Sequence, residues 1–304
     1  MDLLHTFSDI AVRHLSEEKL MALRSCYLSL RRYLNPLFKL IYGTYNTDDL
    51  RAHLQKKVGS DFEILMVHSS VNHMLPMYTG TPLELLNMLI DFCGSEKTLV
   101  MPAFYFGDPK IGTVQETFKN QPRYNLKRTP SQMGLMTELF RRTKGVLQSR
   151  HPVYRVAALG PLAEELIAGH ENASGPAGFG SPFEFMAKHD TLILGIGKSF
   201  HVMTQVHHVD DIMGEDFPVP KIPKEQRKGL RVTVIDGGEE VPVVLQGAGL
   251  KWRFNIAKLP QLLNPTDMKY WSFHHTPLFA ARAKQVTNSL IRAAKKGQTL
   301  YDPN

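Results

Sequence analysis

His207 and Asp210 stand three residues apart, as do His208 and Asp211, so on a helix each pair shares a face and a carboxylate can orient an imidazole. That arrangement suits general acid–base chemistry, because an imidazole changes charge near neutral pH. Both pairs close the stretch TLILGIGKSFHVMTQVHHVDD, residues 191–211, in which a short apolar run ends in Gly195 and Gly197. A run of that kind reads as a buried strand, and the carboxyl ends of strands are where open α/β sheets bind ligands.

Other readings of the same residues are open. His201, His207, His208 and Asp210 form a candidate metal cluster for a metal-dependent hydrolase. Adjacent His207 and His208 would point about 100° apart on a helix, however, and no H-E-x-x-H spacing occurs, so no metal is expected. Gly197-Lys198-Ser199 resembles the end of a phosphate-binding loop, but Leu192 stands where that motif requires its first glycine. Gly175, Gly178 and Gly180 lack dinucleotide-binding spacing and read as a mobile loop. A second strand end carries His68-Ser69-Ser70, whose hydroxyls and backbone N–H groups suit a phosphate or an acyl oxygen; a polar loop with a hydrogen-bonded histidine explains them equally. Arg141, Arg142 and Arg150, the last followed by His151-Pro152, precede VYRVAAL, and arginine pairs well with phosphate; a solvated helix face is the plainer alternative.

The elements that must position these residues follow from helix-start signatures. Thr81-Pro82-Leu83-Glu84, Thr129-Pro130-Ser131-Gln132 and Ser181-Pro182-Phe183-Glu184 each read as a capping box with proline at the first helical position. Helices starting there alternate with FEILMVH, TLVMPAFYF, VYRVAAL and TLILGIG, the rhythm of a mostly parallel sheet covered by helices on both faces. A further helix opens near Thr47. Beyond Asp216 a proline-rich basic connection leads to alternating apolar residues around Asp236-Gly237-Gly238, which predict a β-hairpin, and Pro277 to Lys296 reads as a closing helix. The expected division is a helical extension over residues 1–45, basic and aromatic and broken at Pro36, and one α/β domain over 46–304 with an antiparallel appendage at about 217–260. The extension suits packing on the core, on a second copy in a homodimer, or on a membrane surface.

The composition of the 304 residues is that of a soluble globular chain, 43% hydrophobic, with no apolar run near the roughly 18 residues of a membrane span. MDLLHTFSDIAVRHL does not read as a secretory signal, so a cytoplasmic location is expected. Only Cys26 and Cys93 are present, which argues against a disulfide framework. A net charge of +7 suggests an anionic ligand or a solvated basic surface.

The ordered set MVHSSV, GTPLELLNMLIDFCG, TLVMPAF, TPSQMGLMTELFRRTKGVLQSRHPVYRVAALGP, GSPFEFMAKHDTLILGIG and TQVHHVDD resembles the aminoglycoside 3-N-acetyltransferases and their relatives. SRHP followed by VAALGP is its most characteristic part, and the likeness covers about residues 47–215. It implies a three-layer α/β/α sandwich and an acetyl-coenzyme A-dependent acetyltransferase domain. It also implies that His207 is the catalytic histidine of a Thr-x-x-His-x-x-Glu pattern, with Thr204 on the threonine and Asp210 replacing the glutamate. His68, Ser69 and Ser70 then fall on the coenzyme A side, joined by Arg150. Thr204, Arg155 and Asp211 fall on the acceptor side, Arg155 standing where a small residue is usual. The partners implied are coenzyme A and a small-molecule amine, with no nucleic acid.

The implied reaction is direct transfer of acetyl to a primary amine of an amino sugar, with His207 as base, Asp210 orienting the ring and N–H groups near Ser70 stabilising the oxyanion. The basic chain and Arg155 favour an anionic or nucleotide-linked amino sugar over a polycationic aminoglycoside. Besides the metal-dependent hydrolase, a non-catalytic coenzyme A or anion binder accounts for the same charge.

Overall fold

A computed structural model describes residues 33–223, 226–227, 229–245 and 249–303. The first 32 residues, with most of the expected extension and Cys26, lie outside the described residues. Pro36 sits in the first turn of α1 (Asn35–Tyr42), where its missing N–H costs nothing, so it opens this helix.

Helix α2 (Thr47–Val58) starts from an Asn46–Asp49 capping box and buries Leu50 and Leu54. Strand β1 (Ile64–Ser69) follows, and then α3 (Pro82–Cys93), for which Thr81 and Glu84 form the predicted reciprocal cap. Strand β2 (Thr98–Pro102), α4 (Val114–Asn120) and β3 (Arg123–Asn125) lead to α5 (Leu135–Phe140). The capping box expected at Thr129 does not form. The Thr129 carbonyl is taken by Arg155, the Gln132 amide reaches Gly107, and the helix begins five residues later than expected, behind Gly134.

Next come β4 (Leu147–Gln148), β5 (Val156–Leu159), α6 (Ala163–Ile167) and α7 (Pro182–Lys188). Ser181 caps α7, while Glu184 bonds to Gly180 N–H rather than closing the box on Ser181. Strand β6 (Thr191–Ile196) then passes through two 3-10 turns into α8 (His207–Met213). The predicted hairpin is β7 (Leu230–Asp236) and β8 (Glu239–Leu245), joined by Gly237-Gly238. The remaining elements are β9 (Arg253–Phe254), β10 (Met268–Phe273), β11 (Thr276–Arg282), α9 (Ala283–Ala294) and β12 (Tyr301–Asp302). Pro277–Arg282, expected as the start of the closing helix, is therefore strand; LFAA is a fully buried apolar run that periodicity alone does not separate from helix.

The seven-stranded sheet runs β10-β11-β6-β1-β2-β5-β4. Its centre, β6-β1-β2, is parallel, and all strands except β5 and β11 run in one sense. VYRVAAL thus contributes a strand antiparallel to its neighbour β2, not another parallel repeat. One face of the sheet is covered by α2, α3 and α5. The other is covered by α6, α7, α8 and α9, which completes the three-layer α/β/α sandwich. The hairpin is not isolated: β3 pairs in parallel with β7, and Phe118, Tyr124 and Val234 make a separate small core.

Register at the centre matters most for the site. His68 is paired with Gly195 across β1 and β6, and Gly195 with Phe279 across β6 and β11. A Cβ on Gly195 would lie 2.0 Å from the Phe279 ring, which in turn stacks on His68 at 6.3 Å. Gly195→Ala is expected to lose about 1–3 kcal/mol in urea unfolding through overpacking. An unchanged unfolding midpoint would mean that the Phe279 ring yields without cost.

Candidate active site

Both strand ends meet the helix layer on one face. Ile64 and Met66 of β1 belong to the core under α8, and strand alternation puts His68 on that same side, with Met203, Val206 and Val209. Gln205 anchors the turn before α8 by donating to the Phe183 carbonyl at 3.0 Å and to the Thr287 hydroxyl at 3.3 Å. His207 is the first residue of α8, and its side chain is 29% exposed. Its Nδ1 lies 3.9 Å from Asp210 Oδ2, within ion-pair reach and too long for a hydrogen bond, which leaves Nε2 as the nitrogen not turned to the carboxylate.

Three aromatic side chains complete this pair. Tyr301 donates its hydroxyl to Asp210 Oδ2. Phe254 lies 4.9 Å from the His207 ring, and Tyr154 meets the ring edge-on at 6.0 Å. Tyr301 and Phe254 are register partners in the β12–β9 ribbon. Burial, reinforced by Asp211 and Asp210, pushes the Tyr154 phenol up to about 12; burial and then Asp210 raise Tyr301 as well. Both phenols therefore stay protonated donors at neutral pH.

The four histidine and aspartate residues of HHVDD divide by role. His208 is buried and bonds through Nδ1 to the Ala177 carbonyl at 2.6 Å, while Asp211 accepts from Ala177 N–H at 2.7 Å. Together they grip one residue of the glycine-rich loop, and Gly175 leaves no room for a Cβ beside the Asp211 carboxylate. Burial is the main reason that the Asp211 carboxyl is raised and the His208 imidazole lowered. The loop expected to be mobile is tied at both Pro176 and Ala177. The metal reading loses its geometry here: His208 faces Ala177, His201 contacts Ser199, and among the described residues no three His, Cys, Asp or Glu side chains converge to hold an ion.

SRHP acts through the backbone. Ser149 accepts from Val156 N–H at 3.0 Å and contacts His170 Nδ1 at 2.8 Å, and His170 Nε2 reaches the Pro176 carbonyl at 2.9 Å. Since that carbonyl only accepts, Nε2 carries the proton, and the Ser149 hydroxyl donates to Nδ1. His151 Nδ1 accepts from Val153 and Tyr154 N–H at 3.2 and 2.9 Å, which sets the backbone carrying the Tyr154 ring.

Arg155 is fully buried, so its expected place on the acceptor side is corrected. Its guanidinium donates to the carbonyls of Ala103, Leu126 and Thr129 at 3.1, 2.6 and 3.2 Å and lies over Tyr124. Every face of that fork is used inside the fold. Arg150 is likewise committed, to Asp236 at 3.0 Å and Glu239 at 2.5 Å in the hairpin, so its charge is matched without a phosphate. The Ser70 amide donates to the Ile196 carbonyl at 2.9 Å and is not available as an oxyanion donor.

His68 and Thr204 differ from these. Both are buried, and among the described residues neither ring nitrogen of His68 nor the Thr204 hydroxyl has a hydrogen-bond partner. Leaving such atoms unpaired costs about 1–3 kcal/mol each, so they fit a site that a polar ligand completes. Burial, and secondarily Lys198, pushes the His68 imidazole down to about 3. Ser69 and Ser70 are half-buried beside it. Sequence reasoning missed Tyr154, Phe254 and Tyr301; Tyr154 adjoins SRHP, but nothing local marks the other two.

The sequence model of the family described as aminoglycoside 3-N-acetyltransferase matches residues 66–293. The chain belongs to this family. Aminoglycoside N(3)-acetyltransferase IX of Micromonospora chalcea is 27% identical over 159 residues, 49% of this chain and 56% of that protein. The type VII enzyme of Streptomyces paromomycinus is 26% identical, over 49% of this chain and 54% of its own length. The match thus spans about half the length of these relatives. The crystal structure of aminoglycoside acetyltransferase AAC(3)-Xa superposes with a TM-score of 0.68 at 18% identity, covering 88% of this chain and 99% of that one. AAC-IIIb, solved as a binary complex with CoASH, gives 0.66 at 19% identity over 86% and 100%. These structures share the sandwich fold.

The buried histidines make stability depend on pH. His68 is held at about 3, His170 at about 4, and His151 well below its ordinary value, each mainly by burial. The unfolded chain titrates these imidazoles near 6.5 and so binds more protons than the fold between about 6.5 and 4. Stability is therefore whole above pH 6.5 and falls on acidification, by at most about 1.4 kcal/mol per pH unit for each histidine. Urea midpoints measured from pH 8 to 4 are expected to drop below 6.5; a flat profile would show that the rings are not held neutral.

Proposed function

We propose that this protein is an acetyl-coenzyme A-dependent N-acetyltransferase that acetylates a primary amine of an amino sugar by direct transfer, with His207 as general base. The carrying observation is the His207–Asp210 pair at the helix start, its carboxylate held by Tyr301 and its ring walled by Tyr154 and Phe254. Family membership and the names of the relatives support the reaction class. Acetyl-coenzyme A, when bound, supplies the acetyl group as a reactive thioester. In this reading His68, Ser69, Ser70 and Thr204 hold polar groups of the two substrates, which the unpartnered atoms of His68 and Thr204 support.

A primary amine is mostly protonated at neutral pH and attacks only as the free base. His207 takes that proton on Nε2, and the Asp210 carboxylate near Nδ1 stabilises the imidazolium. Tyr301 fixes the carboxylate so that it does not swing toward solvent. The Asp210 carboxylate beside the ring favours arrival of the amine as its ammonium, from which His207 then removes the proton before attack. An anionic group elsewhere on the acceptor, expected in part from Arg155, now rests on the chain's basic balance alone at this site.

His207→Ala is expected to lower kcat by about 10² to 10⁴ in a thiol-release assay over a panel of amino sugars, with little change in KM for acetyl-coenzyme A. Full activity at saturating amine would remove His207 as the base. Binding without turnover across the panel would favour the non-catalytic coenzyme A binder. Tyr301→Phe, which leaves the ring in place, is expected to lower kcat by about tenfold. Added to His207→Ala it should cost nothing more, because Tyr301 acts through that histidine.

A further inference from the structure

Helix α1 is fastened to the fold along one side. Phe38 packs against the core under α2, α3 and α5, Tyr42 stacks on His275 at 4.3 Å, and His274 Nδ1 donates to the Tyr42 carbonyl at 2.6 Å. These two histidines form the two-residue turn between β10 and β11. Both hold positive φ, 46° and 63°, a conformation that such turns usually give to asparagine or glycine. Backbone strain is thus retained where it grips α1. On the outer side, Tyr33, Leu37, Leu40 and Ile41 follow at i, i+4, i+7 and i+8 and make one apolar stripe. Tyr33 is 84% exposed, Leu40 83% and Ile41 60%, and α1 itself has no buried residue. Apolar surface presented on a firmly held element marks an interaction face.

The charge around this stripe is of one sign. Residues 19–47 include Lys19, Arg24, Arg31, Arg32 and Lys39 and no aspartate or glutamate. On α2, His53 stacks on Phe273 at 4.1 Å beside the histidine turn, and exposed Lys56 and Lys57 follow three and four residues later on the same face. The nearest acids in sequence, Asp48 and Asp49, open α2, and Asp49 is turned back into the cap on the Asn46 N–H.

We propose that α1 is a docking face for an anionic lipid bilayer, lying in the plane of the membrane surface with Tyr33, Leu37, Leu40 and Ile41 toward the acyl chains. The helix has eight residues, and no described helix is long and apolar enough to cross a membrane, so the contact is peripheral. With its side chains α1 is about 10 Å wide, no more than a Debye length, so Lys39 feels the headgroups from any side of the helix. A second copy of the chain would match the apolar stripe but would set the same cations against one another, whereas anionic headgroups neutralise them. Phe38 rests on the sheet face opposite α8, so the layer that carries His207 is turned away from lipid. Docking of this kind uses no residue of the catalytic site and stands whether or not the acyltransfer reading does.

Full-length protein is to be sedimented with vesicles of phosphatidylglycerol and phosphatidylcholine in equal parts, and with vesicles of phosphatidylcholine alone. Binding to the anionic vesicles is expected to be tighter by about tenfold or more and to weaken with added salt. Leu40→Ser combined with Ile41→Ser should weaken it about tenfold through lost apolar contact. Lys39→Gln, Lys56→Gln and Lys57→Gln together should weaken it by about fivefold for each charge removed. Since all five side chains are exposed, both variants should keep the urea midpoint of the parent. Equal binding to the two vesicle types, binding to neither, or binding indifferent to Leu40→Ser with Ile41→Ser would each overturn lipid docking. So would a dimer in light scattering that this double variant dissociates, which would make the stripe an interface between copies. A lowered urea midpoint in the double variant would place the stripe under cover of the chain itself and overturn it equally.

Discussion

The parallel pairing of β1 with β6 is the constraint on which the site depends. It runs in register from Ile64 and Thr191 to Ser69 and Ile196, so the two strands end at the same level of the sheet. Gly195 makes this tolerable by leaving space for Phe279, which packs against His68 from β11. A slip of one residue would turn His68 to the opposite face, among Leu65 and Val67, and away from the helix that carries His207. Register in this pair therefore decides whether the two functional segments share a layer.

From those strand ends outward, the loops nearest His207 are held by side-chain contacts to backbone. Ala177 is clasped by His208 and Asp211, Pro176 by His170, the Tyr154 amide by His151, and three carbonyls by Arg155. Each contact fixes a loop in which a packed core has no grip. Buried groups of this kind are costly when half satisfied and rigid when fully satisfied, so these segments hold one arrangement around His207. Residues with the chemistry of catalysis thus serve as fasteners, while the His207 ring stays partly open beside Asp210.

Legibility in the sequence followed the range of the forces involved. The Thr81 cap, the Gly237-Gly238 hairpin and the apolar strands are set by neighbours within a few residues, and all appear as expected. At Thr129 distant partners hold the segment out of a helix, Arg155 taking the Thr129 carbonyl and Gly107 the Gln132 amide. VYRVAAL looked like its parallel neighbours because burial on both faces gives the same apolar run whichever way a strand points. Arg155 itself resembled a ligand-binding residue, since a sequence records a charge without recording the carbonyls around it.

By itself the sequence determined the alternation of apolar strands with covering helices and the helical spacing that lets His207 share a face with Asp210, and His208 with Asp211, because these depend on local periodicity; the choice between the two pairs came from the family resemblance. Tertiary structure alone supplied the partners that His208, Asp211, Arg150 and Arg155 take inside the fold. It also brought Tyr301, 91 residues beyond Asp210, to hold that carboxylate. The physical reason is that spacing within an element sets which residues can share a face, whereas partners for a buried polar atom come from wherever the chain returns. Those partners decide whether a histidine or an arginine is left with a ring or a fork to offer a ligand.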